Sequence, residues 1–431
     1  MKLIVNKINR IFGAMTPPAS KSQTIRALFF ACLAQGSSTL INPLDSDDTK
    51  AAIKVCEDLG VKISKKDNSL IIDSNGIPLI FNQTKINTGN SGIATRFLLP
   101  ILGLRKDFDN PVIVDCGEQM KQRPLNSLLD ALKNLGLKIE CLEKVGTCPI
   151  KIFGKLIGGK AEVNGLTSQF ISALLISLPL AQIDSEITVY DLHERPYLDM
   201  TLAWLKELGI RVDHIVEDKK DIFKIPCGQY YRSFTKQIPA DFSSLSYPLA
   251  ASVLIPGEVR LQGIDMNDYQ GDKRLIAILQ SMGADIMINN SELLIKGGQS
   301  LHGITIDAND IPDMVPTLAV IATQAMGETQ IINVAQARLK ETDRIKSMAN
   351  GLKAMGANVE QKADGLIIKN SLLHGAEVDG YDDHRTVMAL SLAGLVAEGE
   401  TIISTAEAVS KTFPSFVEIM NSLGTEMSVI N

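Results

Sequence analysis

One pattern recurs six times along this chain of 431 residues. An amphipathic segment closes on Leu-Gly or Met-Gly, and the residues after it alternate apolar and polar. The glycines are Gly60, Gly136, Gly209, Gly283, Gly356 and Gly424, at spacings of 76, 73, 74, 73 and 68. A glycine just past the last helical turn supplies a left-handed cap. The alternation that follows reads as a half-buried strand. Six repeats of about 72 residues therefore fill the whole chain.

A second, more apolar helix also recurs six times, over 24–36, 93–103, 168–181, 243–257, 312–327 and 383–399. Strands such as STLINP, EITVYD, EVRLQGI, TQIINV and TIISTA follow these segments. A helix apolar all round belongs in a core, whereas the Leu-Gly helices carry one wet face and belong outside. Each repeat is then two helices and several strands, an α/β unit too small to bury its own core, so neighbours must pack together. The polar stretch at 214–240 separates the third repeat from the fourth, which gives three repeats per domain.

Composition limits the partners. The net charge is -6 and only 5% of residues are aromatic. Neither favours a nucleic-acid surface. The six cysteines form no CxxC pair and the five histidines are scattered, so no metal site is expected. Scattered thiols suit a reducing compartment. No apolar run approaches the ~18 residues of a membrane span, and the start MKLIVNKINRIFG lacks the apolar core of a leader peptide. A cytoplasmic protein with no membrane or nucleic-acid partner is expected.

The starts of the helices carry an unusual charge. Ser20-Lys21-Ser22 with Arg26, Asn90-Ser91-Gly92 with Arg96, Arg123, Thr167-Ser168-Gln169, Arg195, Lys340 with Arg344, Arg385 and Lys411 all stand there. Helix N-termini have unpaired N–H groups and a partial positive charge, so a cation there is mildly unfavourable. Each cation alone reads as a solvated group or a partner of Glu341, Asp343, Asp382 or Asp383. The set, aligned with the repeat, reads as a site for small polyanions, held by dipoles and cations together.

At these residues the chain resembles the EPSP synthase family of enolpyruvyl transferases. PPASKSQTIRAL, GNSGIATRFL, RPLNSLLDAL, LTSQFISALLISLPLA, RPYLDMT, DFSSLSYPLAA, IPDMVPTLAV, RLKETDRI, DDHRTVMALSLA and KTFPSF resemble that family's motifs, in the same order. The resemblance implies a two-domain inside-out α/β barrel built from six βαβαββ repeats, three per domain. The expected domains are 14–232, carrying most shikimate 3-phosphate contacts, and 1–13 with 233–431, with the active site in the cleft between them. It further implies that shikimate 3-phosphate binds first and phosphoenolpyruvate second. The 5-hydroxyl of the first takes the enolpyruvyl group of the second by addition–elimination, without metal or cofactor, in the shikimate pathway to aromatic amino acids. A monomer is expected.

The resemblance also assigns residues. Lys21, Ser22, Arg26, Thr167, Ser168, Gln169, Tyr197, Asp313, Gln336 and Lys340 are expected on shikimate 3-phosphate. Lys21, Asn90, Gly92, Arg123, Gln169, Arg344, Arg385 and Lys411 are expected on phosphoenolpyruvate. Asp313 is the expected base for the 5-hydroxyl, and Glu341 the expected acid and base at the methylene carbon, with Lys411 as its partner. His384 reads first as a structural hydrogen-bonding residue and only second as a proton-transfer group. Four positions depart from the family pattern: Ile93 and Phe97 replace Thr and Pro, Gln336 replaces Asn, and Glu194 stands in place of Ser. Ile93, bulky at a helix start, is expected to lower sensitivity to glyphosate, which occupies the family's phosphoenolpyruvate pocket.

Two alternatives compete. UDP-N-acetylglucosamine 1-carboxyvinyltransferase shares the fold and donor, but its mobile loop has a reactive Cys shortly before an Arg. Here GEQMKQRP has none between Gly117 and Arg123, and Cys116 lies at an expected strand end. A non-catalytic repeat scaffold fits the repeats but not the cations set beside Asp313 and Glu341.

Overall fold

The computed structural model describes residues 1–431. Twelve helices are longer than one turn. They are α1 (Lys21–Leu33), α2 (Asp47–Asp58), α3 (Gly92–Ile101), α4 (Asn126–Asn134), α5 (Ser168–Ser177), α6 (Arg195–Glu207), α7 (Phe242–Leu254), α8 (Arg274–Ser281), α9 (Val315–Gln324), α10 (Arg344–Ala354), α11 (His384–Val396) and α12 (Phe416–Ser422). Odd-numbered helices are apolar and almost wholly buried; even-numbered ones bury a single face. All six glycines of the repeat take a positive φ, from 74° at Gly209 to 107° at Gly136. Only glycine adopts that conformation cheaply, which explains why each outer helix stops there.

Six four-stranded sheets accompany the helices, and all share one pattern. One edge pair is parallel and the other two pairs are antiparallel. Three repeats are continuous βαβαββ runs, and three are completed from elsewhere in the chain. The edge strand Thr235–Gln237 pairs in parallel with Gln35–Ile41 of the first repeat. Ile11–Met15 does the same for Gly257–Gln262 of the fourth. The N-terminal strand Lys2–Val5 lies between Thr401–Ser404 and Met427–Ile430 of the sixth.

These borrowed strands set the domain limits. The chain divides into a first unit, Lys21–Ile238, and a second, Met1–Ser20 with Pro239–Asn431. The divisions fall there rather than at 13/14 and 232/233 because Ile11–Met15 and Thr235–Gln237 are each paired with a distant sheet. In the second unit Ser20 N–H donates to Pro239 O at 2.8 Å, and Asp241 N–H to Pro18 O at 2.9 Å.

In the first unit α1, α3 and α5 meet in the interior; in the second, α7, α9 and α11 do. Sheets pack on the outside of these helix trios, so the helices form the core of each unit. Residues such as Leu98, Leu174, Leu318 and Leu390 are at most 1% exposed. Truncating any one to alanine should cost about 2–5 kcal/mol. Starts and stops differ slightly from the periodicity. Helix α1 begins at Lys21, three residues before the apolar run, which places Lys21 and Ser22 in its first turn. Helix α5 stops at Ser177 and tightens into a 3-10 turn at Leu178–Leu180, where Pro179 ends regular bonding. Pro312–Met314 forms a 3-10 turn that leads into α9. No helix is long and apolar enough to cross a membrane.

Candidate active site

In the first unit, the starts of α1, α3, α5 and α6 come together. Arg26, one turn into α1, is 1% exposed. Its Nε donates to Thr201 Oγ1 (2.9 Å), its Nη1 to Ser22 O (3.1 Å) and its Nη2 to Tyr197 O (2.9 Å). Burial lowers its pKa to about 10, but it stays charged at neutral pH. Its place is beneath Ser22 and Tyr197, holding both. Phe97 lies against it, with the guanidinium carbon 5.7 Å from the ring centre, and packs edge-on to Phe29. That stacking accounts for an aromatic side chain at this position.

Lys21 Nζ lies 3.1 Å from Asp48 Oδ2, in the first turn of α2. Arg96 Nη1 donates to Gln169 Oε1 at 2.6 Å and sits over the Phe170 ring. Gly92 has a specific reason. A Cβ there would lie 2.5 Å from Arg123 Nη1 and 2.9 Å from Arg96 Nη1, so only glycine lets two guanidiniums close on the α3 start. Asn90 Oδ1 accepts from Met120 N–H (3.3 Å), and Gly117 N–H donates to Gly89 O (2.7 Å). These bonds join the turn before α3 to the one-turn helix Glu118–Lys121 and so to Arg123. Cys116 is buried directly after the strand Val112–Asp115, beside Cys148.

Thr167 caps α5, accepting from Gln169 N–H at 3.4 Å. Glu194 closes on the same helix start. Arg195 forks onto Asp221 with two contacts of 2.9 Å, and His214 Nε2 meets that carboxylate at 2.6 Å.

In the second unit a charge network joins the starts of α9, α10 and α11. Arg344 is 1% exposed and reaches three carboxylates. Nη1 donates to Asp313 Oδ1 (2.7 Å), Nη2 to Glu341 Oε2 (2.7 Å) and Nε to Asp383 Oδ2 (2.8 Å). Burial alone would lower its pKa, but the three carboxylates raise it above the usual arginine value. Arg385 Nη2 donates to Asp313 Oδ2 at 2.7 Å, and Lys340 Nζ stands 3.9 Å from Asp313 Oδ1. Burial pushes the Asp313 carboxyl upward, yet Arg385, Lys340 and Arg344 together hold it well below the usual carboxylate range. Asp383 caps α11, accepting from Arg385 N–H at 2.8 Å, and so presets the arginine beside Asp313. Lys411 Nζ donates to Asp382 O at 2.7 Å.

Gln336 is 3% exposed, and its Nε2 donates to Asn309 O at 2.9 Å, while its Oε1 is buried without a hydrogen-bond partner. A buried acceptor of this kind is costly unless something donates to it.

Sequence reasoning missed Asp272. It is 2% exposed, accepts from the Ser243 hydroxyl, and lies close enough to Asp313 and Arg385 to feel both. Burial first, and Asp313 second, push its pKa up to about 7. A signal existed. Counted back from the repeat glycines, Asp48, Arg123, Asp272, Arg344 and Lys411 stand 12, 13, 11, 12 and 13 residues earlier. Arg195 stands 14 residues before Gly209, so a charged group of either sign stands at or just before the outer helix in all six repeats.

Helix trios covered by repeated four-stranded sheets are also the fold of solved enolpyruvyl transferases. The solved enolpyruvyl transferase NikO from Streptomyces tendae shares the fold, with a TM-score of 0.80 at 16% identity over 99% of this chain and 98% of that one. The solved EPSP synthase from Acinetobacter baumannii gives a TM-score of 0.84 at 26% identity, covering 100% of both chains. The family model described as EPSP synthase (3-phosphoshikimate 1-carboxyvinyltransferase) matches residues 5–420. A 3-phosphoshikimate 1-carboxyvinyltransferase from Acetivibrio thermocellus is 44% identical over 428 residues, covering 99% of both chains. One from Methanocaldococcus jannaschii is 40% identical over 434 residues, again covering 99% of both. The chain belongs to the EPSP synthase family, transferases of aromatic amino-acid biosynthesis.

Proposed function

We propose that this chain transfers the enolpyruvyl group of phosphoenolpyruvate to the 5-hydroxyl of shikimate 3-phosphate. The observation that carries this reading is the double grip of Arg344 and Arg385 on Asp313. Two guanidiniums beside one carboxylate suit an anionic donor held next to a base.

Lys21, Ser22, Thr167, Ser168, Gln169, Tyr197, Gln336 and Lys340 hold shikimate 3-phosphate. Arg26 acts through Ser22 and Tyr197, which it fixes in place. Lys21, Asn90, Gly92, Arg123, Gln169, Arg344, Arg385 and Lys411 hold phosphoenolpyruvate. The buried Gln336 Oε1 accepts from a substrate hydroxyl.

The reaction runs in two steps. Glu341, with Lys411 as its partner, delivers a proton to the methylene carbon of phosphoenolpyruvate. The 5-hydroxyl oxygen bonds to the adjacent carbon as Asp313 takes the hydroxyl proton, giving a tetrahedral adduct. That adduct loses phosphate and returns one proton from its methyl group to Glu341, which restores the enol ether. Asp313 is a weak base while three cations hold it. Arg344 and Arg385 turning toward the donor's anionic groups relieve it, so donor binding switches on the base. The protein works as a cytoplasmic monomer on these two metabolites.

Phosphate release is the decisive measurement, with phosphoenolpyruvate and either shikimate 3-phosphate or UDP-N-acetylglucosamine, in the presence of a chelator. Release with the first acceptor alone supports the reading. Release only with the second, or with neither, rejects it.

A further inference from the structure

One oxygen of the Glu194 carboxylate gathers the donors at the start of α5. Oε2 accepts from Thr167 Oγ1 at 3.1 Å, from Ser168 Oγ at 3.1 Å and from Ser168 N–H at 3.3 Å. The side chain is 2% exposed. Its backbone is left-handed, with φ 58° and ψ 38°, a conformation that costs any residue bearing a Cβ. Strain of this kind persists only where surrounding contacts hold it. Here it turns the Glu194 side chain back to α5, while the next residue, Arg195, forks onto Asp221.

Two hydroxyls and a helix-start N–H converging on one anionic oxygen are what a phosphate oxygen would find in the same place. We propose that Glu194 is a built-in stand-in for the substrate's phosphate: in the empty protein its carboxylate fills the position that a phosphate oxygen takes in the complex, and binding displaces it. Glu194 is thereby a determinant of acceptor affinity. Each phosphorylated acceptor competes with a tethered carboxylate for Thr167 and Ser168, whereas an acceptor without phosphate does not. This rests on the assignment of Thr167 and Ser168 to the phosphorylated acceptor.

The test uses the full chain with Glu194→Ser and Glu194→Gln. Calorimetric titration measures the Kd for shikimate 3-phosphate and for unphosphorylated shikimate, and phosphate release is followed for the unaltered protein. Removing the competing charge should tighten shikimate 3-phosphate roughly ten- to a hundredfold in both variants, the scale of one charge-assisted hydrogen bond. The Kd for shikimate should stay where it was. Glu194→Gln keeps the shape of the side chain, so it decides the matter if the serine variant fails to fold. Unchanged or weaker binding of shikimate 3-phosphate in the glutamine variant, or equal tightening of both ligands, overturns the proposal. If the unaltered protein turns over and the variants show no gain, only the role of Glu194 falls. If the unaltered protein releases no phosphate with shikimate 3-phosphate, the site reading falls and takes this proposal with it.

Discussion

Arg344 Nη1 and Asp313 Oδ1 meet at 2.7 Å, and the same guanidinium also holds Glu341 and Asp383. One buried cation therefore bridges three carboxylates drawn from three helix starts, with Arg385 and Lys340 adding charge at Asp313. Breaking a buried pair by removing one partner leaves charge uncompensated, at a cost of about 3–5 kcal/mol. Arg344→Ala should lose that much stability, read from urea unfolding. Arg344→Lys keeps the charge but not the fork, so it should retain most of the stability while the KM for phosphoenolpyruvate rises at least about tenfold. Wild-type unfolding midpoints in the alanine variant would show that the network does not hold these helix starts together.

Asp272 carries a pH signature of the opposite sign to an ordinary ion-paired carboxylate. Its folded-state pKa is about 7, above the ~3.9 of an unfolded aspartate. Its contribution is fully present below the unfolded value and is lost as pH rises through the folded one. Asp272→Asn removes that penalty. The variant should be more stable than the unaltered protein at pH 8, and the gap should narrow as pH falls below about 7 and close below about pH 4. Denaturant midpoints across pH read this directly, and a gap independent of pH would contradict it.

Much of this architecture was legible because it repeats. The six glycines mark helix ends regardless of packing, and the apolar helices mark the two cores. The borrowed strands were not legible: Ile11–Met15 and Thr235–Gln237 are short and pair with partners over 190 residues away, so no local pattern signals them. In the candidate site the cations stood out because helix starts disfavour them. Asp48 and Asp272 did not, because an aspartate at a helix start is ordinary and only depth of burial makes it unusual. Arg195 matched the pattern by its sequence position, and its guanidinium forks onto Asp221.

Lys21 and Arg123 stand at separate helix starts of the first unit, the latter 7% exposed. If each meets a substrate anion, Lys21→Ala and Arg123→Ala should each lower kcat/KM by about a hundredfold or more, the effect of losing a charged hydrogen bond and leaving its anion unpaired. The fold should survive both changes, as circular dichroism would show. Near-native kcat/KM in either variant removes that residue from the site.

Ile93 lies in the first turn of α3, 5% exposed, between Gly92 and the helix body. Its branched side chain is buried, and the residue directly follows Gly92 in the chain. Ile93→Thr should relax that turn and lower the glyphosate inhibition constant, measured against phosphoenolpyruvate. An unchanged constant would place the determinant elsewhere.

Asp313 separates binding from chemistry most cleanly. Asp313→Asn keeps the shape and one acceptor for the arginines, but cannot take a proton. Turnover should fall by about 10²–10⁴-fold, the usual contribution of a general base, while the Kd for shikimate 3-phosphate changes little. Stability should respond to pH as well. The Asp313 carboxyl is held below its ordinary value by Arg385, Lys340 and Arg344 against the opposing effect of burial. A depressed carboxylate contributes stability that is present above the unfolded pKa and lost as pH falls through the folded one. The unaltered protein should therefore lose stability on acidification below about pH 4 more steeply than the asparagine variant, which has no such group to protonate. Undiminished turnover in Asp313→Asn would end its role as the base, and matching acid limbs of stability would show that the three cations do not hold its charge.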